Sequence, residues 1–224
     1  MTRSGAYRRL SWLLALIPLS TCCCTSGGEN TLRNIKVFLK EQRIEVNAQV
    51  AVESGGPIEY LLCTTTGKTY ESVLKADCDP IQFHAALLSL GLEPGKDGVK
   101  VHRDTTQPTG SPVDIQLRWR GPDGKVVTAR SEDFLFCTIT KTTMQHEGWV
   151  FTGSRFEKDF YDPKKQVFGA NIEGSLIAVI HDPWAIIDNR DPHGHIYTAY
   201  TVNEKVVPKL DTPVTVIISR TTRK

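Results

Sequence analysis

Apolar and polar residues alternate along several short stretches of the chain, a period-two pattern that predicts β-strands. The stretch 43–52 alternates in this way. So does 113–119, which is followed by a Gly-Pro-Asp-Gly turn at 121–124 and a returning segment at 125–129. This arrangement predicts a β-hairpin. We expect further strands at 35–39, 58–64, 70–74, 134–140, 149–152, 176–180, 197–202 and 214–218.

The stretch 79–91 has the signals of an α-helix. Asp79 is placed to cap the exposed amides, Pro80 suits the first helical position, Gln82 completes a capping box, and Gly91 marks the end. An apolar stripe at helical spacing predicts the buried face, and its members are Ile81, Ala85, Leu88 and Leu92. The predicted fold class is α+β and mostly β: a single domain of antiparallel hairpins with one clear helix near 79–91.

The N-terminus has the features of an export signal. Arg3, Arg8 and Arg9 precede an apolar run over 10–19, which is the size of a signal-peptide core and too short to span a bilayer. The run ends in Leu19-Ser20-Thr21-Cys22, which resembles the bacterial lipobox, although Thr21 is unusual beside the cysteine. The sequence therefore predicts cleavage before Cys22 and acylation of its thiol; an ordinary secretory signal is the alternative.

These features predict four segments. A lipoprotein signal peptide covers 1–21, a lipidated tether 22–33, the folded domain 34–219 and a basic tail 220–224. We expect an exported protein of the cell envelope, attached to a lipid bilayer by its acyl anchor.

The net charge of the chain argues against nucleic acid as a partner. The formal net charge is +2, and removal of Arg3, Arg8 and Arg9 with the signal leaves 24 basic residues against 25 acidic ones. A domain this close to neutral lacks the electrostatic footprint of a nucleic-acid-binding protein. A small molecule or another envelope protein remains open as a partner, and no cofactor is indicated.

Six cysteines are present. Cys22, Cys23 and Cys24 crowd the cleavage site, whereas Cys63, Cys78 and Cys137 lie within the domain. An exported compartment permits disulfides, so a Cys63–Cys78 bridge is one interpretation and buried free thiols are the other.

Several stretches together resemble the YdjY-like domain family. They are 56–60 (Gly-Pro-Ile-Glu-Tyr), 67–72 (Gly-Lys-Thr-Tyr-Glu-Ser), 84–92, 149–154, 174–178 (Gly-Ser-Leu-Ile-Ala) and 182–188 (Asp-Pro-Trp-Ala-Ile-Ile-Asp). The resemblance implies an exported or lipid-anchored bacterial protein, and it carries no established reaction and no catalytic residue.

Two groups of residues are candidates for chemistry. Glu71 and His84 would form an acid–base pair if they shared a pocket; otherwise Glu71 is a strand-edge carboxylate and His84 a helix residue beside the core. Asp182, Asp188, His193 and His195 are candidate metal ligands, and the alternative is a polar loop.

We therefore expect a membrane-anchored envelope lipoprotein that acts as a binding or accessory module without catalysis. One alternative is a metal-dependent or acid–base enzyme that uses Glu71 and His84 or the 182–195 stretch. The other is a thiol-redox accessory protein that uses Cys63 and Cys78.

Overall fold

A computed structural model describes residues 30–96 and 98–221. Its strands are, in chain order, β1 (Asn30–Leu32), β2 (Ile35–Phe38), β3 (Arg43–Val50), β4 (Tyr60–Thr64), β5 (Ser72–Ala76), β6 (Ser111–Arg120), β7 (Val126–Arg130), β8 (Leu135–Cys137), β9 (Thr142–Thr143), β10 (Trp149–Phe151), β11 (Phe156–Lys158), β12 (Gln166–Phe168), β13 (Ser175–Ala178), β14 (Ile187–Asn189), β15 (Tyr200–Val202) and β16 (Pro213–Arg220). Its helices are α1 (Pro80–Ser89) and α2 (Gly169–Glu173), with short 3-10 turns at Thr69–Glu71 and Ser131–Phe134.

Eight strands close into a barrel in the order β3-β16-β6-β10-β14-β13-β4-β5, and β5 pairs back onto β3. Closure rests on two residue pairs, Gln49 opposite Lys75 and Val50 opposite Leu74. The pairs β4–β5 and β13–β14 are parallel, so crossovers rather than hairpins connect them. The predicted α+β domain of antiparallel hairpins is therefore wrong: the fold is a largely β, closed barrel with little helix.

The alternating sequence pattern explains the best-formed wall of the barrel. β16 pairs along its length with both β3 and β6, with Val216 opposite Val46 on one side and Leu117 on the other. In each of these three strands, alternate residues are buried. Burial of their apolar side chains inside the barrel stabilises this register, because a one-residue slip would turn every one of them outward.

Helix α1 forms where the sequence predicts it, but its buried face differs from the predicted one. Asp79 caps the helix by accepting a hydrogen bond from the Gln82 amide at 3.0 Å, but the side-chain oxygen of Gln82 has no hydrogen-bond partner, so the predicted capping box is incomplete. Ile81 and Leu88 are 51 % and 42 % exposed, whereas Phe83 and Leu87 are fully buried. The sequence offers two apolar stripes, and the stripe that contains the bulkier Phe83 packs on the barrel.

Two further small sheets lie outside the main sheet. β11 and β12 form a separate hairpin, and β15, β8 and β9 form a small second sheet. β1 lies within the predicted tether, and Arg220 of the predicted tail ends β16. The predicted signal peptide and Cys22 lie outside the described residues. In the part of the chain that the structure describes, no helix has the length and apolarity needed to cross a membrane.

Candidate functional site: a charged cluster at Glu59

Side chains from four separate stretches of sequence meet at one side of the barrel. Tyr60 begins β4 and Glu59 directly precedes it, Lys68 and Glu71 come from the connection before β5, and Asp182 comes from the loop before β14. Glu173, at the end of α2, joins them. Short backbone contacts fix this arrangement: the Glu59 amide donates to the Glu71 carbonyl at 2.9 Å, and the Val179 amide donates to the Glu59 carbonyl at 2.8 Å.

We call the group around the Glu59 carboxylate the Glu59 cluster, and its members are Glu59, Lys68, Glu71, His102, Arg103 and Tyr197. The Glu59 side chain is only 3 % exposed. Arg103 Nη2 donates to Glu59 Oε1 at 3.2 Å, and His102 Nε2 and Lys68 Nζ lie 3.7 and 3.8 Å from Oε2. Positively charged groups of two different segments therefore compensate one buried carboxylate.

Glu71 and Tyr197 complete the cluster. Glu71 lies beside Glu59 and Tyr197, and its pKa is raised by burial and then by the neighbouring Glu59 carboxylate. The guanidinium of Arg103 lies 4.1 Å from the centre of the Tyr197 ring. Burial is the main reason for the raised pKa of Glu71, and the neighbouring Glu59 carboxyl adds to it because two carboxyl groups in contact favour retention of a proton by one of them.

Lys68 links this cluster to a second carboxylate. Lys68 Nζ lies 2.8 Å from Glu173 Oε2, and the Tyr60 hydroxyl lies 3.3 Å from the same oxygen. The link depends on close contact between two glycines: a Cβ on Gly67 would lie 2.6 Å from the Glu173 carbonyl oxygen and 3.1 Å from Gly174 Cα. A larger residue at either position would separate Lys68 from Glu173.

Asp182 and Asp188 extend the polar network into the barrel wall. The Tyr60 hydroxyl donates to Asp182 Oδ2 at 3.0 Å, and the Asp182 amide donates to Asp188 Oδ2 at 3.1 Å. Asp188 is fully buried and Asp182 is 2 % exposed. Burial raises the pKa of Asp182 and raises that of Asp188 well above its ordinary value.

The other candidate metal ligands have local structural roles. Asp188 Oδ1 accepts from the Asn189 amide at 2.8 Å, and Asp191 Oδ1 accepts from the His193 amide at 2.9 Å. His193 Nδ1 is also 2.8 Å from Asp191 Oδ1, and His195 is part-exposed. Among the described residues, no group of three or more His, Cys, Asp or Glu side chains is arranged to hold a metal ion. Within 182–195, Asp188 lies on β14, and carboxylates and amides of the same stretch organise the loops on either side of that strand.

The structure gives Glu71 and His84 different neighbours. His84 lies on α1 between aromatic rings, with ring centroids 5.2 Å from Phe151 and 5.4 Å from Phe168. Burial lowers the pKa of His84. The carboxyl neighbour of Glu71 is Glu59, which in turn lies 3.7 Å from the His102 imidazole, so Glu71 belongs to a polar cluster and His84 to an aromatic one.

The three domain cysteines are buried free thiols. Burial raises the pKa of Cys63 to about 11. The pKa of Cys78 rises to about 12 through burial and the adjacent Asp79 and Asp77 carboxylates. Little thiolate exists at neutral pH under these conditions, so the two thiols are poor nucleophiles.

A surface cleft of about 190 Å³ leads toward the buried carboxylates. Asp182 and Pro183 form one wall, and Lys96, Lys100 and Arg155 contribute to the others. Because Asp182 is almost completely buried, the cleft offers a ligand cationic groups more readily than the carboxylate.

Sequence reasoning identified Glu71 and Asp182 but missed most of their partners. Glu59, Tyr60 and Lys68 lie within the stretches that resemble the family, yet nothing in the residue pattern singled them out. A glutamate between Ile58 and Tyr60, in an otherwise apolar stretch, was the available signal. His102, Arg103 and Tyr197 come from loops without a recognisable motif, so only the fold brings them to Glu59.

The fold and site define a β-barrel domain with a buried, charge-compensated cluster on one side. The family model of the YdjY domain matches residues 35–219, and the chain belongs to this family; the predicted resemblance is confirmed. No curated protein and no solved structure gives a significant match to the chain.

Proposed function

We propose that this protein is an exported envelope lipoprotein, held at a membrane through acylated Cys22, and that its YdjY domain is a binding or accessory module without catalysis. The anchor is argued from the N-terminal sequence: three arginines, an apolar run of signal-peptide length and the lipobox-like Leu19-Ser20-Thr21-Cys22. Acyl chains each contribute about 0.8 kcal/mol per buried CH₂, so several of them attach a domain stably without a spanning helix.

The anchor is tested by the exchange Cys22→Ser. We expect the variant to leave the membrane fraction or to accumulate as an uncleaved precursor. Cys23→Ser is the matched control, because it changes the neighbouring thiol and leaves the cleavage motif intact. Intact mass of the wild-type protein gives an independent measurement. An unmodified N-terminus, or one created at another bond, would refute the lipid anchor.

The observation that supports a binding module is the way charge is arranged in the Glu59 cluster. The carboxylate of Glu59 is buried and already compensated, whereas the side chains of Lys68, His102 and Arg103 are 28 %, 35 % and 44 % exposed. A compensated carboxylate is a poor general base, but the exposed parts of Lys68 and Arg103 keep cationic donors for a ligand. The rim of the cluster therefore suits a ligand with an anionic or hydrogen-bond-accepting group.

Acetate and inorganic phosphate are suitable probes of this rim. We expect saturable NMR shift changes at Lys68, His102 and Arg103 in the full chain, and loss of these changes in Arg103→Ala. Arg120→Ala is the control, because Arg120 is an exposed arginine at the C-terminal end of β6 and is not a member of the Glu59 cluster. Equal shifts in both variants, or none in the wild type, would argue against recognition at this rim.

An acid–base enzyme remains the second candidate, and one observation favours it. The pKa of Glu71 is raised by burial and by the neighbouring Glu59 carboxylate, which is the environment that lets a carboxyl group act as a general acid. Its partner in this proposal is Glu59 with His102, rather than His84. A reaction that Glu71→Gln abolishes, and whose pH profile Glu59→Gln shifts, would favour the enzyme over the binding module.

A further inference from the structure

The hairpin formed by β11 and β12 presents two aromatic rings to solvent at its tip. Phe160 is 90 % exposed and Tyr161 is 92 % exposed, the highest values among the exposed large apolar side chains of the described residues. Phe156, on the same hairpin, is 62 % exposed. Adjacent aromatic residues at such exposure are unfavourable in water and typically mark a contact surface.

The tip has a defined conformation. Asp159 Oδ1 accepts hydrogen bonds from the amides of Tyr161 and Asp162, both at 2.8 Å. The Lys165 amide donates to the Asp162 carbonyl at 2.8 Å, and the two exposed rings meet edge to face with centroids 5.2 Å apart. The turn thus holds both rings outward before any partner arrives, which lowers the entropy cost of binding.

Lysines surround the aromatic tip. Lys158, Lys164 and Lys165 are exposed. Two carboxylates of the turn offset part of this positive charge: Asp159 accepts two backbone hydrogen bonds, and Asp162 Oδ1 accepts from the Lys164 amide at 3.2 Å while its Oδ2 lies 3.7 Å from Lys165 Nζ. Glu157 is paired with Arg155, so the three lysines leave the tip with a small positive excess. Aromatic rings with flanking lysines suit the interface of an anionic bilayer, where the rings sit at headgroup depth and the ammonium groups contact lipid phosphates.

We propose that the Phe160–Tyr161 tip inserts into the headgroup region of a lipid bilayer and fixes the orientation of the domain on the membrane. The inference rests on the proposed lipid anchor, which would keep the domain beside a bilayer. The apolar area of the tip favours a lipid partner over a protein partner, because two aromatic side chains bury about 300–500 Å² together. A stable protein interface needs about 800 Å² from each partner.

Insertion depth is measured with a tryptophan at the tip. Phe160→Trp in the full-length protein is mixed with vesicles of phosphatidylcholine and phosphatidylglycerol in equal parts, with bromine on the acyl chains. Val126→Trp is the matched control, because Val126 is also exposed, at 59 %. Val126 lies opposite Arg120, at one end of β6. The hairpin follows β10, whose Phe151 pairs with Ser111 at the other end of β6, so the control position lies away from the tip. Both variants share the same native tryptophans.

We expect a blue shift and bromine quenching of Trp emission for Phe160→Trp and neither for Val126→Trp. Lys158→Gln and Lys164→Gln should each weaken the tip's partitioning roughly fivefold on anionic vesicles.

If the protein floats with the vesicles but the two tryptophan variants give the same emission, the tip does not insert and the anchor proposal stands. If the protein does not float and Phe160→Trp emission is unchanged, the insertion is likewise refuted, and the Cys22→Ser fractionation decides the anchor separately. A blue shift that needs high protein concentration and no lipid would assign the tip to a second copy of the chain and overturn the inference.

Discussion

Arg103 donates a hydrogen bond across 3.2 Å to Glu59, a carboxylate that the fold buries almost completely. The two residues are 44 positions apart in sequence and belong to a loop and to the start of a barrel strand. The contact matters because a buried carboxylate is tolerated only when charged or hydrogen-bonding partners replace its water.

Glu59→Gln is expected to destabilise the domain. The amide keeps the size of the side chain but removes the charge that faces Arg103 and Lys68. We expect the free energy of unfolding to fall by about 1.5–3 kcal/mol, as for hydrogen bonds to charged groups. Urea denaturation followed by circular dichroism measures this change. Glu41→Gln, at an exposed position, is the control, and an equal effect of the two variants would contradict a structural role for the Glu59 charge.

Asp188 should make stability decrease as the pH rises. Its pKa in the folded protein is raised well above the ordinary value. Above the ordinary carboxyl pKa of about 3.9, the unfolded chain releases this proton while the folded chain keeps it. The free energy of unfolding therefore falls as the pH rises toward the folded-state pKa, and the contribution is fully present only below the unfolded pKa.

The variant Asp188→Asn tests this pH dependence, because the amide stays neutral at every pH. The stability advantage of the wild type over the variant should shrink with rising pH, by at most about 1.4 kcal/mol per pH unit. Urea titrations at a series of pH values from 4 upward give the difference. An advantage that stays constant across the series would show that Asp188 is ionised in the folded protein.

Cys63 and Cys78 should resist alkylation in the folded protein. Their burial and raised pKa values leave little accessible thiolate at pH 7. We expect iodoacetamide to modify neither residue in native protein and both after unfolding in urea without reductant, as read from peptide masses. If both stay unmodified in urea until a reductant is added, the two cysteines form the bridge that the sequence left open.

Two adjacent leucines test which face of α1 is buried. Leu87 is fully buried and Leu88 is 42 % exposed. Leu87→Ala should lower the free energy of unfolding by about 2–5 kcal/mol through lost burial and cavity formation. Leu88→Ala should cost about 1 kcal/mol or less. Thermal or urea unfolding measures the loss of stability in each variant. A larger loss for Leu88→Ala than for Leu87→Ala would support the buried face that periodicity predicted.

The comparison of Leu87 with Leu88 shows that local sequence pattern predicts the position of a helix but not which of its faces is buried. Periodicity and capping residues located α1 correctly, since a helix start is decided by side chains within a few residues of it. The buried face was wrong because α1 carries two apolar stripes, and only contact with the barrel selects between them. The same limit applies to β4 and β5: both strands were expected, but their parallel pairing follows from how distant segments meet.

The candidate site shows the same limit. Glu71 and Asp182 were recognisable as polar residues beside turns, yet His84, the predicted partner of Glu71, packs on Phe151 and Phe168 instead. A hydrogen bond between residues far apart in sequence, such as Tyr60 with Asp182, leaves no local periodic signal.

By itself the sequence determined the positions of most strands, the start and end of α1, the family resemblance and the expectation of an N-terminal anchor. Each of these depends on residues close together in the chain. The tertiary structure alone decided that the sheet closes on itself through β3 and β5, and that Glu59 is buried among the cations of distant loops. Closure and charge compensation depend on contacts across the chain, whose free energy exists only once the barrel has formed.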